Sequence, residues 1–213
     1  MTPKVAEAAQ RRLAARVVTE GEAGDARRIA GVDVAYDEAR DLAVAAAAVL
    51  DPTTLETVEL RVVETPLAFP YTPGLFSLTE APPVLAALAA LDAPPDLIVC
   101  DGHGLAHPRR FGLACHVGVE TGLPTIGCAK SRLAGAHGEP GHSRGSVTAL
   151  VEGGDEIGAV LRTRDGVRPV FVSVGHRITL AAAVAWVLRL APRHRLPETT
   201  RTADQAVRRA LRA

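Results

Sequence analysis

The apolar residues of this chain arrive in short runs, such as the eight residues at positions 43–50. A run of that length fills one strand buried on both faces, and it falls far short of the roughly 20 residues that a membrane-spanning helix needs. Three strand-like runs follow one another at 28–36, 42–50 and 55–64, with Asp51-Pro52 as the turn between the second and third. Beyond a loop at 66–73 rich in proline and aromatics, the patterns alternate: helix 79–91, strand 96–101, helix 109–122, strand 123–128. Pro82 and Pro83 fit the first turn of a helix starting near Thr79. Strand patterns at 143–152, 156–162 and 169–173 precede a helix at 179–190 that is apolar on nearly every side. This order predicts an α/β fold. Its mixed sheet opens with three antiparallel strands, continues with parallel ones and is flanked by helices.

Hydrophobic residues make up 47% of the 213 and aromatics only 3%, so the core must be built from Ala, Val and Leu. That composition excludes a disordered chain, a coiled coil and a disulfide scaffold. No internal repeat or long linker is visible. The length suits a single domain, 1–213, with a peripheral N-terminal helix at about 3–19 and an Arg-rich C-terminal tail at about 191–213. The opening MTPKVAEAAQRRL lacks the apolar core of a signal peptide, and Cys100, Cys115 and Cys128 have no paired spacing. A cytoplasmic protein with reduced thiols and no membrane contact is expected.

The net charge of zero hides an asymmetry. Residues 1–100 hold 15 acids against 8 Lys and Arg, whereas residues 176–213 hold 8 Arg against 2 acids. A polyanion would be drawn to the basic side, although an Arg-rich segment also serves simply to solvate a helix.

Asp33 interrupts the apolar run IAGVDVAY, where a carboxylate is expensive to bury unless it is paired or holds a cation. Asp101 ends a second run, LIVCD, and is followed at once by Gly102. Strand ends in open α/β sheets are where ligand sites form. If the two strands adjoin, two hard oxygen ligands converge and suit Mg²⁺ or Mn²⁺. The alternative is a local cap at Asp33 and a turn at Asp101. Glu80 is a candidate third carboxylate, though a Glu in a first helical turn also serves capping. Three acids from distant segments match metal-assisted phosphodiester hydrolysis.

In Asp101–Arg110, DGHGLAHPRR, Gly102 and Gly104 let backbone approach a ligand, and Arg109 and Arg110 are expected to open a helix. Gly104 and Pro108 argue against a helix carrying both His103 and His107, and neither CxxC nor HExxH occurs, so zinc is not indicated. Cys115 and His116 point about 100° apart on a helix, which makes a poor nucleophile pair, and Cys100 and Cys128 read as core. The chain has two lysines, Lys4 and Lys130, beside 22 arginines. Lys130 just past a strand would suit a scissile phosphate, or else simply be solvated. Tyr71 stands between Pro70 and Pro73 in a stiff loop of the kind that wedges between bases, or that merely orders a core.

Together these segments resemble endonuclease V, the deaminated-base repair nuclease. The matches are GVDVAY around Asp33, PYTPGLFSLTE up to Glu80, and DGHGLAHPRRFGLACHVGVETGLPTIGCAKSRL from Asp101, with VSVGHR and RLPETTRTAD following in order. The long central match is the specific one. The resemblance implies a ribonuclease-H-like fold whose strand acids hold Mg²⁺, with Mn²⁺ as a substitute. It implies cleavage of DNA at the second phosphodiester bond 3′ to deoxyinosine, leaving 3′-hydroxyl and 5′-phosphate ends. Asp33 and Asp101 would be metal ligands, with Glu80 and Asp204 as further candidates, and Lys130 would stabilise the phosphate. His107 would lie close to the DNA, Tyr71 would be the wedge, and Gly74, Gly102 and Gly104 would line the hypoxanthine pocket. Arg109 and Lys130 would contact DNA. Thr72 stands where Ile is common, and SLTE replaces the usual FRE before Glu80. Inosine-containing RNA is the alternative substrate, and a silent binder of altered bases the alternative class. A monomer is expected.

Overall fold

The computed structural model describes residues 3–37, 39–66 and 76–212 of the chain. One eight-stranded sheet carries the order β3-β2-β1-β4-β5-β8-β7-β6. Its strands are β1 (Ile29–Asp37), β2 (Leu42–Leu50), β3 (Thr57–Pro66), β4 (Leu97–Cys100), β5 (Thr125–Ala129), β6 (Val147–Glu152), β7 (Asp155–Leu161) and β8 (Val170–His176). The first three are antiparallel, as expected, and Asp51 makes the turn by accepting from the N–H groups of Thr53 and Thr54. Parallel pairing is confined to β1, β4 and β5, and β8, β7 and β6 add an antiparallel flank.

The Ala-Val-Leu core divides at the sheet. Helices α2 (Phe76–Ala89) and α3 (Leu113–Thr121) cover one face, packing Ala81, Val84 and Val117 on Ala30, Val32 and Ile98. Helices α4 (Leu180–Leu190) and α5 (Glu198–Ala210) cover the other, with Trp186 and Leu190 on Ile29 and Val99, and Ala203 and Val207 on Val44 and Ala46. α1 (Pro3–Ala14) is shorter than the 3–19 expected, and the residues just beyond it, including Val17, pack on Phe111 and Cys115.

Three further boundaries differ from the sequence reading. α2 starts at Phe76, so Pro82 and Pro83 lie in its middle and remove two backbone donors there. Burial of Ala81, Val84 and Ala87 against the sheet outweighs that loss. Arg109 and Arg110 do not open α3, because Arg110 is left-handed (φ 55°) and Gly112 caps the helix. The Arg-rich tail contains α5, whose Thr199, Thr200, Ala203 and Val207 form a buried stripe beneath the charged face.

Candidate active site

β1 runs nine residues and β4 only four, and this mismatch opens the site. Their parallel register ends at Val32↔Cys100, so Asp33 and Asp101 are the next residues on neighbouring strands. The Asp101 N–H reaches the Val32 carbonyl at 3.4 Å, carrying the ladder one step further. Side chains alternate along strands. Asp33 therefore shares the face of Gly31, against which Thr199 packs, and Asp101 shares the face of Val99 beneath α4. The two acids stand on one side of the sheet, at its rim.

Glu80 arrives from the opposite layer. It lies in the second turn of α2, 7% exposed, so it is not a first-turn capping acid. Burial pushes its carboxyl up to about 9, and the charges of Asp33 and Asp101 add to the rise. Burial likewise lifts Asp33 to about 7, with Asp101 and Asp204 raising it and Lys130 opposing them. Asp204 is carried by α5, where Arg208 pairs with it at 2.9 Å. Lys130, one residue beyond β5, forms an ion pair with Oδ2 of Asp101. Burial works against its ammonium, but the bond to Asp101 and the charges of Asp33 and Asp204 win, and its pKa is raised.

Asp33 thus feels the charges of Asp101 and Asp204, and Glu80 those of Asp33 and Asp101; among the described residues Lys130 is the ammonium that faces them, while Arg208 takes Asp204. Such a donor set lacks positive charge, and a hard divalent cation supplies it. Among the described residues no three His, Cys, Asp or Glu side chains close into a ready-made cage. Two carboxylates leave room for waters and phosphate oxygens, which is how Mg²⁺ is usually held. Asp33 and Asp101 fit that role. Glu80 and Asp204 stand near enough to act electrostatically without completing a three-ligand set.

A sequence profile of the endonuclease V family matches residues 11–205. The chain belongs to the endonuclease V family. The Streptomyces avermitilis endonuclease V is 54% identical over 99% of this chain and 93% of its own, and its crystal structure superposes with a TM-score of 0.95. A human endonuclease V structure matches at 32% identity and a TM-score of 0.90, covering 99% of this chain and 98% of that one. A Ciona intestinalis endonuclease V, in complex with a 24mer DNA containing an inosine followed by a ribo-adenosine, matches at 24% identity and 0.85, covering 99% of each chain. The fold is the ribonuclease-H-like one of endonuclease V.

The remaining residues expected at an endonuclease V site separate. Gly104 is fixed by packing: a Cβ there would lie 2.0 Å from the Val174 carbonyl oxygen, and its N–H donates to Ser173 Oγ at 2.8 Å. At Gly102 a Cβ would meet only the Leu113 side chain, at 3.6 Å, so no neighbour in the protein demands glycine there. His107 is buried, its Nδ1 accepting from the Arg109 N–H. Arg109 does not stand free for DNA. Its Nε donates to Gln10 at 2.6 Å and its Nη1 lies 3.7 Å from Glu7, which ties α1 to the body. Tyr71 and Gly74 lie outside the described residues.

Three further residues hold the site together in ways that the sequence alone does not assign. Ser173 anchors the Gly102–Gly104 loop. His103 hydrogen-bonds the backbone of Ser131, and its Nδ1 is buried without a partner; burial lowers its pKa to about 4. Arg195 donates to the carbonyl of Lys130. Each acts through a contact remote in sequence. The signal was that each falls inside a matched segment, Ser173 in VSVGHR, His103 in DGHGLAHPRR and Arg195 in RLPETTRTAD, with no role attached to it.

Proposed function

We propose that this endonuclease V nicks DNA at the second phosphodiester bond 3′ to deoxyinosine, with Mg²⁺, leaving 3′-hydroxyl and 5′-phosphate ends. The observation that carries the reading is the approach of Asp33, Asp101 and Glu80 at one sheet rim, where Lys130 is the ammonium that faces them among the described residues. Asp33 and Asp101 would hold the ion. When bound, it supplies the charge that polarises a phosphoryl oxygen and activates water. Lys130, half exposed and tethered to Asp101, would offer its ammonium to the negative charge that gathers on a scissile phosphate. Glu80, protonated at neutral pH without a metal, can hold or release a proton beside the ion.

Recognition would precede the chemistry. The Arg-rich α5 side attracts the backbone without reading sequence, so binding should weaken with salt. Flipping the hypoxanthine into a pocket beside Gly102 lets backbone groups read its edge, with Tyr71 as the wedge filling the gap. His107 would keep the Asp101–Arg110 loop in shape close to the DNA. The inosine-containing DNA held by the Ciona protein supports the choice of base. Repair of deaminated adenine in the cytoplasm, by a monomer, is the setting this reading implies.

The test is incubation of a duplex with one deoxyinosine, with Mg²⁺, Mn²⁺ or chelator, and mapping of the product ends. A nick one nucleotide beyond the inosine bond, lost in chelator, is expected. Cleavage that persists in chelator would remove the metal assignment, and binding without nicking would favour the silent binder. An inosine-containing RNA strand run alongside decides between the two nucleic acids.

A further inference from the structure

We propose that Arg195 is the positioning residue for Lys130, a role that rests on the reading of Lys130 as the phosphate-facing cation. Arg195 lies between α4 and α5, half buried. Its Nη2 donates to two carbonyls, that of Lys130 and, at 2.8 Å, that of Pro169. Lys130 is the first residue past β5 and Pro169 the last before β8, and these antiparallel neighbours register at Ala129↔Phe171. The guanidinium therefore clips the two strands together just beyond their last registered pair. Arg195 is held in turn: its own carbonyl accepts from Thr163 Oγ1 at 2.6 Å.

The clip fixes the Lys130 peptide, and the side chain leaving that peptide meets Asp101. A lysine at 195 has donors enough for both carbonyls, since both bonds leave one nitrogen, but its ammonium sits on a flexible stem and loses more freedom per bond than the pre-organised planar guanidinium. Arg195 also opens the segment that runs into α5, whose Thr199 packs on Gly31 and whose Asp204 acts on Asp33. One side chain thus ties the cation of the site to the element bearing its outermost acid.

The chain's two lysines, Lys4 and Lys130, make a direct test available. Brief amine acylation of the full chain, with each lysine quantified by mass spectrometry, reads the freedom of Lys130 against Lys4 as an internal standard. Loss of the charged hydrogen bonds in Arg195→Ala should raise Lys130 acylation about tenfold relative to Lys4 and lower kcat about as much, with KM little changed. Arg195→Lys should fall between Arg195→Ala and the parent. In a Lys130→Ala background, Arg195→Ala should lower the remaining nicking no further. An unchanged Lys130 to Lys4 ratio in a folded variant overturns the proposal, as does an equal loss of nicking in both backgrounds. If Arg195→Ala does not fold, Arg195→Gln carries the same acylation measurement. Because acylation requires no nuclease activity, failure of the nuclease reading would leave this result standing.

Discussion

The carbonyl carbon of Thr199 lies 2.1 Å from where a Cβ on Gly31 would sit, so the start of α5 rests directly on the backbone of β1. Gly31 is two residues before Asp33, and Thr199 is five before Asp204. The contact therefore sets the distance between two acids of the site. Gly31→Ala cannot be absorbed by a flexible side chain, because the obstacle is backbone. We expect it to destabilise the protein by about 1–3 kcal/mol or more. Denaturant unfolding followed by the fluorescence of Trp186, the single tryptophan, measures it. A loss below about 0.5 kcal/mol, the scale of neutral surface changes, would mean that α5 can slide.

Asp33→Asn keeps the shape of the side chain and removes its charge. Since burial and Asp101 already oppose ionisation of Asp33, the variant should be no less stable than the parent in chelator at pH 8. It should also lose the stabilisation that Mg²⁺ is expected to give the parent, and nicking should fall by about a thousandfold, the worth of several kcal/mol of charge stabilisation. Melting curves with and without Mg²⁺ separate the two effects. A variant that Mg²⁺ still stabilises fully would place the ion elsewhere.

Stability without metal should fall between pH 7 and pH 9. The folded protein keeps a proton on Glu80 up to about pH 9, whereas the unfolded chain releases it near 4.5. Raising the pH through that window favours the state that binds fewer protons, which is the unfolded one, at up to about 1.4 kcal/mol per pH unit. The lowered pKa values of His103 and His176 act below this window, where an unfolded histidine begins to charge. Glu80→Gln should flatten the slope. A metal-free stability that rises from pH 7 to 9 would show that Glu80 is not held neutral.

Much of this was written locally. An acid inside IAGVDVAY and another closing LIVCD were visible as carboxylates that apolar strands would not carry without cause. The short apolar runs located all eight strands to within a few residues. Strand order was not legible, because the pairing of β5 with β8 rather than with β6 depends on residues some 45 positions apart. In the sequence α5 looks like a tail, because its arginines mask a narrow stripe of Thr199, Thr200, Ala203 and Val207. The start of α2 at Phe76 is hidden for the converse reason: the local rule that puts proline in a first turn yields to burial against the sheet.

Gly102 and Gly104 flank His103 and should separate fold from recognition. A methyl group at 104 would meet the Val174 carbonyl at 2.0 Å, and the loop would have to leave β8 and lose its bond to Ser173. Gly104→Ala should therefore lower stability by about 1–3 kcal/mol. A methyl group at 102 meets only Leu113, at an ordinary contact distance, so Gly102→Ala should melt within a degree or two of the parent. If Gly102 is small because a flipped base lies against it, its alanine variant should bind inosine DNA at least about tenfold more weakly, the scale of a lost close contact. Affinity for the same duplex without inosine, which rests on backbone charge, should be unchanged. Equal weakening on both duplexes, or none on either, would move the base pocket away from Gly102.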